Sequence, residues 1–183
     1  DWRGTLRLLG YFNHAAMGHY ADAIASSEMT GLAPDITASR KDGRLKGGFG
    51  INEFQELGPY FRSFARIGWN DGHNESVAYT EVDNGVLVGG DLTGARWHRP
   101  DDKLGLALVT DGISRVHADY LADGGQGFIL GDGLGRMHYG RENIAEAYYT
   151  ARAYKGIFPA IDVQVIENPG YNALRGPVFV GSV

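Results

Sequence analysis

The sequence lacks three features that would point to common functions. Its 183 residues include no cysteine, which excludes disulfides, thiolate catalysis and zinc sites built on cysteine. No run approaches the roughly 18 uncharged apolar residues that a membrane-spanning helix needs. Basic residues are in the minority, with 17 Lys and Arg against 22 Asp and Glu, and this balance argues against a nucleic-acid partner.

Glycine and aromatic residues are abundant instead. The chain has 28 glycines against 6 prolines, together with 10 Tyr, 8 Phe and 3 Trp. Glycines within strands suit a curved sheet, and aromatic rings suit the interface between a membrane and water. A glycine-rich soluble β-protein has the same composition, so composition leaves both classes open.

The segment from Tyr60 to Asn70, YFRSFARIGWN, alternates between two kinds of side chain. Successive side chains of a strand point to opposite faces, so the pattern predicts a strand with one apolar and one cationic, polar face. The first face carries Phe61, Ser63, Ala65, Ile67 and Trp69, and the second carries Arg62, Phe64, Arg66, Gly68 and Asn70. A soluble sandwich would bury the apolar face, whereas a membrane barrel would turn it to lipid and enclose water with the other.

Similar alternation continues along the chain and predicts about eight strands. They cover residues 4–17, 45–57, 60–70, 76–97, 103–111, 143–154, 157–167 and 176–183. Asn84-Gly85 is a hairpin signal, but the alternation keeps its parity through this dipeptide. We therefore predict one long strand with a bulge over residues 76–97.

The predicted connections between the strands alternate in length. LGP, RPDD and KG are short turns, whereas residues 19–44, 113–142 and 168–175 form long connections. Helical spacing predicts one helix at 19–29 and another at 114–123, with Ser114 as its N-cap and Gly124 as its stop. Tilted membrane strands need about 9–11 residues, and bacterial outer-membrane barrels have short turns at one end and long loops at the other. The pattern favours such a barrel, although a sandwich can share it.

Five segments of the sequence carry a family resemblance. They are LRLLGYFNHAAMGHYADAI (6–24), FARIGWNDGHNESVAYTEVD (64–83), GARWHRPDDKLGLALVTDGIS (94–114), YLADGGQGFILGDG (120–133) and ENPGYNALRGPVFV (167–180). Together they resemble the C-terminal half of the carbohydrate-selective porins, the OprB family, in the family's order. The block WNDG, followed by YTEVD and then GARWHRPDD, is the specific part of this resemblance.

The resemblance implies an all-β fold, an antiparallel transmembrane β-barrel of about 16 strands, of which eight strands would be half. We interpret residues 1–183 as a single partial domain, because the chain starts in a strand without Met and stops at Val183, where the family closes on an aromatic residue. The implied location is the bacterial outer membrane. The implied partners are sugars, the lipid bilayer and the remaining half of the barrel, with the protein a monomer or a homotrimer.

Polar side chains of the strands are the predicted sugar contacts in the lumen, because Arg donates to hydroxyls, carboxylates accept from them and Tyr rings stack on C–H faces. These candidates are Arg7, Tyr11, Asn13, Arg62, Arg66, Tyr79, Glu81, Asp83, Glu146, Tyr148, Arg152, Asp162 and Gln164. Each of them taken singly fits a solvated, salt-bridged wall better than a sugar contact, whereas the set favours a polar conduit. Trp69, Trp97, Tyr149 and Tyr154 are the candidates for an aromatic girdle at the lipid interface.

No catalytic, metal or cofactor site is predicted. Glu81 and Asp83 share one face of a predicted strand, so they do not flank a bond as glycosidase carboxylates about 5–9 Å apart do. The six histidines show neither HxxxH nor HExxH spacing, and the turn NDGHNE lacks the EF-hand register. We therefore expect no enzyme activity.

The predicted function is passive, facilitated diffusion of carbohydrates through an outer-membrane porin. One alternative is a plugged or structural β-barrel subunit of an envelope assembly, because the connection over 113–142 is long enough to fold inward. A further alternative is a soluble carbohydrate-binding β-sandwich, which would dissolve without detergent.

Overall fold

The strands follow one another in a single antiparallel meander. A computed structural model of the chain describes residues 3–76 and 80–183. The strands are β1 (Gly4–Met17), β2 (Lys41–Glu56), β3 (Phe61–Asn70), β4 (Asn84–Thr93), β5 (Lys103–Gly112), β6 (Glu142–Thr150), β7 (Ala160–Glu167) and β8 (Val178–Ser182). Each pairs with its neighbour in sequence, from β1 to β8, and the sheet is open. The predicted all-β class and eight strands are confirmed.

The register holds the two kinds of side chain on opposite faces of this sheet. Directly paired residues of antiparallel strands share a face. Arg7 pairs with Asn52, which pairs with Arg66, and Arg62 pairs with Asp91, so these polar residues lie on one surface. The opposite surface is apolar and open, with Leu8 73% and Phe12 80% exposed. The faces predicted for the strand at residues 60–70 are confirmed.

The connections differ in length at the two ends of the sheet. At one end they span residues 57–60, 94–102 and 151–159, and at the other they span 18–40, 71–83, 113–141 and 168–177. Two helices lie in the long connections, α1 (Tyr20–Thr30) and α2 (Arg115–Ala122). Both predicted helices are confirmed, and the Ser114 hydroxyl accepts the hydrogen bond from the backbone N–H of His117 as an N-cap does.

The single strand predicted over residues 76–97 is wrong. Strand β4 begins at Asn84, and residues 80–83 lie outside the strands. Asp83 forms the last rung, donating its N–H to Gly112 O and accepting from Asn70 N–H. Residues 80–82 lie outside the ladder, and the carboxylate of Glu81 binds the backbone of residues 128–130 in another connection. The polar–apolar alternation of the sequence therefore extends into residues that do not form a strand.

The hairpin predicted at Lys155-Gly156 is confirmed, with strands shorter than predicted. Strand β6 ends at Thr150 and β7 begins at Ala160. The intervening residues still pair irregularly, with hydrogen bonds from Ala151 N–H to Pro159 O and from Ala153 N–H to Ile157 O. Pro159 has no N–H to donate, so the regular ladder cannot extend through it.

The buried apolar core lies in the long connections and leaves both faces of the sheet open. We call this core the loop cluster, and its buried members are Tyr20, Ala23, Ile36, Ile113, Ala118, Tyr120, Leu121 and Tyr171. They come from three of the long connections, two of which contain the helices α1 and α2. The loops therefore form a packed unit at one end of the sheet. None of the described helices combines the length and apolar character needed to cross a bilayer.

Candidate pore lining and loop cluster

The polar face of strands β1–β3 is cationic. Arg7 and Arg66 lie directly opposite Asn52 from its two sides, and both arginine side chains are exposed. Arg62 lies four residues before Arg66 on the same face of β3. Tyr11 and Asn13 continue this face of β1 toward the long connections. Five predicted contact residues therefore share one surface, as their alternation indicated.

Arg62 is neutralised by its cross-strand partner. Its Nε donates to Asp91 Oδ2 at 3.0 Å, and its guanidinium carbon lies 5.5 Å from the centroid of the Phe54 ring. Asp91 is buried, whereas Arg62 is half-buried. The pair thus holds the guanidinium between a carboxylate and an aromatic ring.

The polar face of strands β6 and β7 is acidic. Glu146 pairs with Gln164, whose Nε2 donates to the Glu146 carboxylate at 3.1 Å. Tyr148 pairs with Asp162 at the next position on this face. These four predicted contact residues also lie together, and they present hydrogen-bond acceptors at least three strand spacings, or roughly 14 Å, from the arginines of β1–β3.

Glycines let aromatic rings lie flat against this wall. Gly105 is directly opposite Tyr148, and a Cβ placed on Gly105 would meet the Tyr148 ring at 2.2 Å. A Cβ on Gly89 would meet the Phe64 ring at 2.5 Å. The missing side chains therefore leave the space that these rings occupy.

A recess opens on the polar face between the arginines and the loop cluster. It has a volume of about 460 Å³. Tyr11, Asn52 and Arg66 are part of its lining, and Asp83 from the connection 71–83 closes one side. Recesses of this size hold small polar ligands. We call it the upper recess.

Glu81 lies inside the loop cluster and is buried. Its carboxylate accepts three backbone N–H groups, from Phe128 at 3.1 Å, Ile129 at 2.8 Å and Leu130 at 3.0 Å. The Tyr171 hydroxyl donates to the Glu81 carbonyl at 2.9 Å. The prediction that Glu81 faces the lumen from a strand is therefore corrected, because all these partners hold it among the loops.

Asp83 is also buried, against the histidine of α2. His117 Nδ1 lies 3.0 Å from Asp83 Oδ2, and the same oxygen accepts the N–H of Ser114 at 2.8 Å. Burial acts to raise the pKa of Asp83, but these hydrogen bonds, the His117 charge and Lys46 outweigh it, so the pKa lies below its ordinary value. Asp83 thus serves as an anionic anchor for the cluster, at the ladder rung directly before β4.

His117 sits between two carboxylates in the loop cluster. Its ring stacks on Tyr20 with centroids 4.2 Å apart, and Nε2 lies 4.0 Å from Glu81 Oε1. Nε2 has no hydrogen-bond partner among residues 3–76 and 80–183. Because an ionised carboxylate only accepts, Nδ1 carries the proton shared with Asp83. No sequence motif marks this histidine, since its partners lie more than 30 residues away.

Lys46 joins the loop cluster to the polar face of the sheet. It pairs with Asn13 on that face, and its ammonium donates to the carbonyl of Asn74 at 3.0 Å. The ammonium also lies 3.9 Å from Asp83 Oδ1. The cluster is therefore anchored on the same surface that carries the predicted sugar contacts.

Arg152 belongs to the opposite end of the sheet. It lies past the end of β6, and its guanidinium pairs with Asp101 at 2.6 Å while its N–H donates to Asp102. The prediction that Arg152 shares the polar strand face is corrected, because the strand stops at Thr150. Tyr79, another predicted contact, lies outside the described residues.

Asp102 organises the connection between β4 and β5. It accepts hydrogen bonds from the Arg99 guanidinium, the Tyr149 hydroxyl and the Arg152 N–H. The Arg99 hydrogen bond is the main cause that lowers the pKa of Asp102 to about 2. Sequence analysis did not select Asp102, because Tyr149 and Arg152, two of its three partners, become its neighbours only once β5 and β6 pair.

The predicted girdle residues occupy both ends of the strands. Trp97 Nε1 donates to the Tyr149 hydroxyl at 3.2 Å, and Tyr154 lies exposed in the neighbouring short connection. Trp69 lies at the end of β3 near the long connections, on the apolar face, with its ring centroid 5.8 Å from that of Phe49. Rings at these positions suit two interfacial bands, and the girdle role itself stays a prediction.

Comparisons with known proteins agree with this architecture. The chain matches the high-pH structure of Pseudomonas putida OprB with a TM-score of 0.70 and 20% sequence identity. The match covers 93% of this chain and 41% of that one, so the chain spans less than half of its length. Comparison with curated proteins gave no match. Residues 2–183 match the family described as carbohydrate-selective porin, OprB family, and the chain belongs to this family.

Proposed function

We propose that the protein containing this chain is a bacterial outer-membrane porin for passive, facilitated diffusion of carbohydrates. The observation that carries the proposal is the separation of polar and apolar side chains by the register of strands β1–β3, β6 and β7. An apolar outer face is compatible with lipid, and a polar inner face keeps water in the conduit. Membership of the carbohydrate-selective porin family supplies the substrate class.

The polar wall offers weak, reversible contacts to a sugar. Arg7 and Arg66 supply donors on one side, and Glu146 and Asp162 supply acceptors on the other. The Tyr148 ring offers a flat face between them. Weak contacts at several positions are what transport requires, because a solute must leave as readily as it enters.

We propose that the remaining half of the barrel pairs with the edges of β1 and β8. Within the described residues, each of these strands has a neighbour on one side only. Unpaired backbone groups cost several kcal/mol each in a hydrocarbon medium, so a stable barrel must close both edges. The native mass in detergent tests this and separates a monomer from a trimer.

A flux assay tests the porin function. The native protein is reconstituted in lipid vesicles, and swelling is followed in neutral sugars of increasing size. Swelling that slows as the sugar grows, together with a boiling-dependent shift in gel mobility, supports a sugar-conducting barrel. A water-soluble species of 19.9 kDa without the shift would contradict the proposal.

The loop cluster favours a second candidate, a barrel plugged by its own loops. The cluster is packed and is tied to the polar face through Lys46. A plugged barrel predicts no single-channel current, whereas an open porin conducts. The sandwich hypothesis is not retained, because the described strands form one sheet with its apolar face exposed.

A further inference from the structure

Two arginines on the polar face form no ion pair with the described residues. Arg7 and Arg66 have neither a salt bridge nor a side-chain hydrogen bond to any residue within 3–76 and 80–183. By contrast, Arg62 is paired with Asp91, and Arg152 is paired with Asp101. The two exposed arginines therefore keep their full donor capacity for a solute.

The register places these arginines on both sides of one amide. Arg7 and Arg66 each pair with Asn52, so their backbones lie two strand spacings apart, about 10 Å. Two guanidinium groups on flexible stems can reach a common anion across that gap, and the Asn52 amide lies between them. We call these three residues the arginine row.

Open space adjoins the arginine row on both sides. Arg66 and Asn52 line the upper recess of about 460 Å³, which Asp83 and Asp111 also line, and Arg7 lines a second recess of about 420 Å³ toward the short connections. The Asp83 carboxylate is already held by His117 and Lys46. In the upper recess, a Cβ on Gly68 would meet no atom within 4 Å. A sugar ring therefore has room beside the row while one substituent contacts the guanidinium groups.

We propose that the arginine row binds the carboxylate of a sugar acid such as a hexuronate, giving the porin a preference for anionic over neutral sugars. The inference rests on the proposed porin function and extends its substrate class. Guanidinium groups bind carboxylates through paired, charge-assisted hydrogen bonds, which a neutral hydroxyl cannot match. Glu146, the nearest predicted acceptor of β6 and β7, lies three strand spacings from Arg66, roughly 14 Å, which is still beyond the screening length of about 8 Å at physiological ionic strength.

The test compares the initial uptake rates of glucuronate and glucose, two solutes with the same ring, in vesicles that contain the native full-length protein. The quantity measured is the ratio of the two rates. In R7Q/R66Q the ratio is expected to fall about threefold to tenfold, because the cationic wall no longer concentrates the anion. R66K, which keeps the charge, should retain most of the preference.

R115Q is the control for net charge, because it applies the same substitution to an arginine that is 95% exposed on helix α2. Its ratio should equal that of the wild type. A second measurement needs no variant: the wild-type ratio should fall as salt is raised from about 0.05 to about 0.5 M, since screening weakens the attraction.

The outcomes separate this inference from the porin function. If glucose enters but the ratio is the same in wild type and R7Q/R66Q, or is insensitive to salt, the sugar-acid site is overturned and the porin function stands. If neither solute enters, both proposals fail. If R115Q lowers the ratio as much as R7Q/R66Q does, the preference comes from overall charge and the arginine row is overturned.

Discussion

His117 Nδ1 lies 3.0 Å from Asp83 Oδ2, and this contact joins the connection after β3 to the helix that follows β5. Both residues are buried. The carboxylate also holds the N–H of Ser114 and attracts Lys46 on the polar face. The Asp83 carboxylate therefore links two long connections to each other and to the polar face of the sheet.

Replacing His117 by Ala should loosen the loop cluster without unfolding the sheet. The variant leaves the Asp83 carboxylate without its buried partner and removes the stack on Tyr20, a loss of about 1–3 kcal/mol in local stability. Limited proteolysis of the connection 113–141 in reconstituted vesicles measures this. The control is H138A, in which an exposed histidine of the same connection is removed. Equal protease sensitivity of H117A and H138A would contradict the anchoring role.

Replacing Glu81 by Gln should release the segment around Ile129. A carboxylate accepts all three N–H groups, whereas a glutamine side chain offers only one oxygen, so at least one amide loses its partner. The expected cost is about 2 kcal/mol. Hydrogen exchange of the amides of residues 128–130 should become faster, while E28Q on the exposed face of α1 leaves it unchanged. Unaltered exchange in E81Q would show that Glu81 does not hold this segment.

The strand faces were predictable because alternation is a local signal. At Phe61–Asn70 each side chain takes its face from its neighbours in sequence, and the structure places Arg62 and Arg66 as the pattern indicated. The same signal failed at Glu81, since alternation does not report whether a strand continues beyond the last rung at Asp83. Their burial depends on Phe128–Leu130 and His117, partners from a distant connection that no periodicity reveals.

The sequence likewise did not indicate which arginines of the polar face have ion-pair partners. Arg62 and Asp91 are 29 residues apart, and only the register of β3 with β4 makes them opposite neighbours. Arg7 and Arg66 look equivalent to Arg62 in sequence, yet they face Asn52 and keep no ion pair among the described residues. The register, which follows from turn lengths, decides which cations are available to a solute.

Asp102 should make the protein more stable above pH 4 than in acid. Its folded pKa of about 2 lies below the ordinary value of 3.8, so its contribution is fully present above 3.8 and is lost as the pH falls toward about 2. D102N should therefore unfold at a lower temperature than the wild type at neutral pH, and the difference should close between about pH 4 and pH 2. The measurement is the gel-mobility transition of folded barrel as a function of temperature and pH.

D101N is the control for this pH dependence. Asp101 is the neighbouring residue, and its pair with Arg152 is exposed on both sides. Exposed pairs contribute about 0–1 kcal/mol, so D101N should follow the wild-type curve. A stability difference for D102N that persists unchanged at pH 2 would show that the carboxylate charge is not what Asp102 contributes.

Replacing Gly105 by Ala should push the Tyr148 ring into the conduit. The new Cβ would lie 2.2 Å from the ring, whereas ordinary carbon contacts are about 3.5–4.0 Å, so the ring must move by more than about 1 Å. The lumen side of the ring is the side open to such a movement, and the single-channel conductance should fall. G10A, the same substitution where a Cβ meets no atom within 4 Å on the apolar face, should conduct as the wild type does. A normal conductance for G105A would place Tyr148 away from the conduction path.

Arg62 and Arg66 share a face and a strand, but their removal should have different costs. In R62Q the buried Asp91 carboxylate loses its counterion, and because Arg62 is 39% exposed we expect about 1–3 kcal/mol of lost stability. In R66Q no partner is left uncompensated, so the cost should stay within about 0.5 kcal/mol. The thermal gel-shift transitions of R62Q and R66Q measure this difference. R62Q/D91N removes both charges of the pair and should recover part of the stability lost in R62Q. Equal destabilisation by R62Q and R66Q would mean that Arg66 also has a structural partner, and the arginine row would then be less available to a solute.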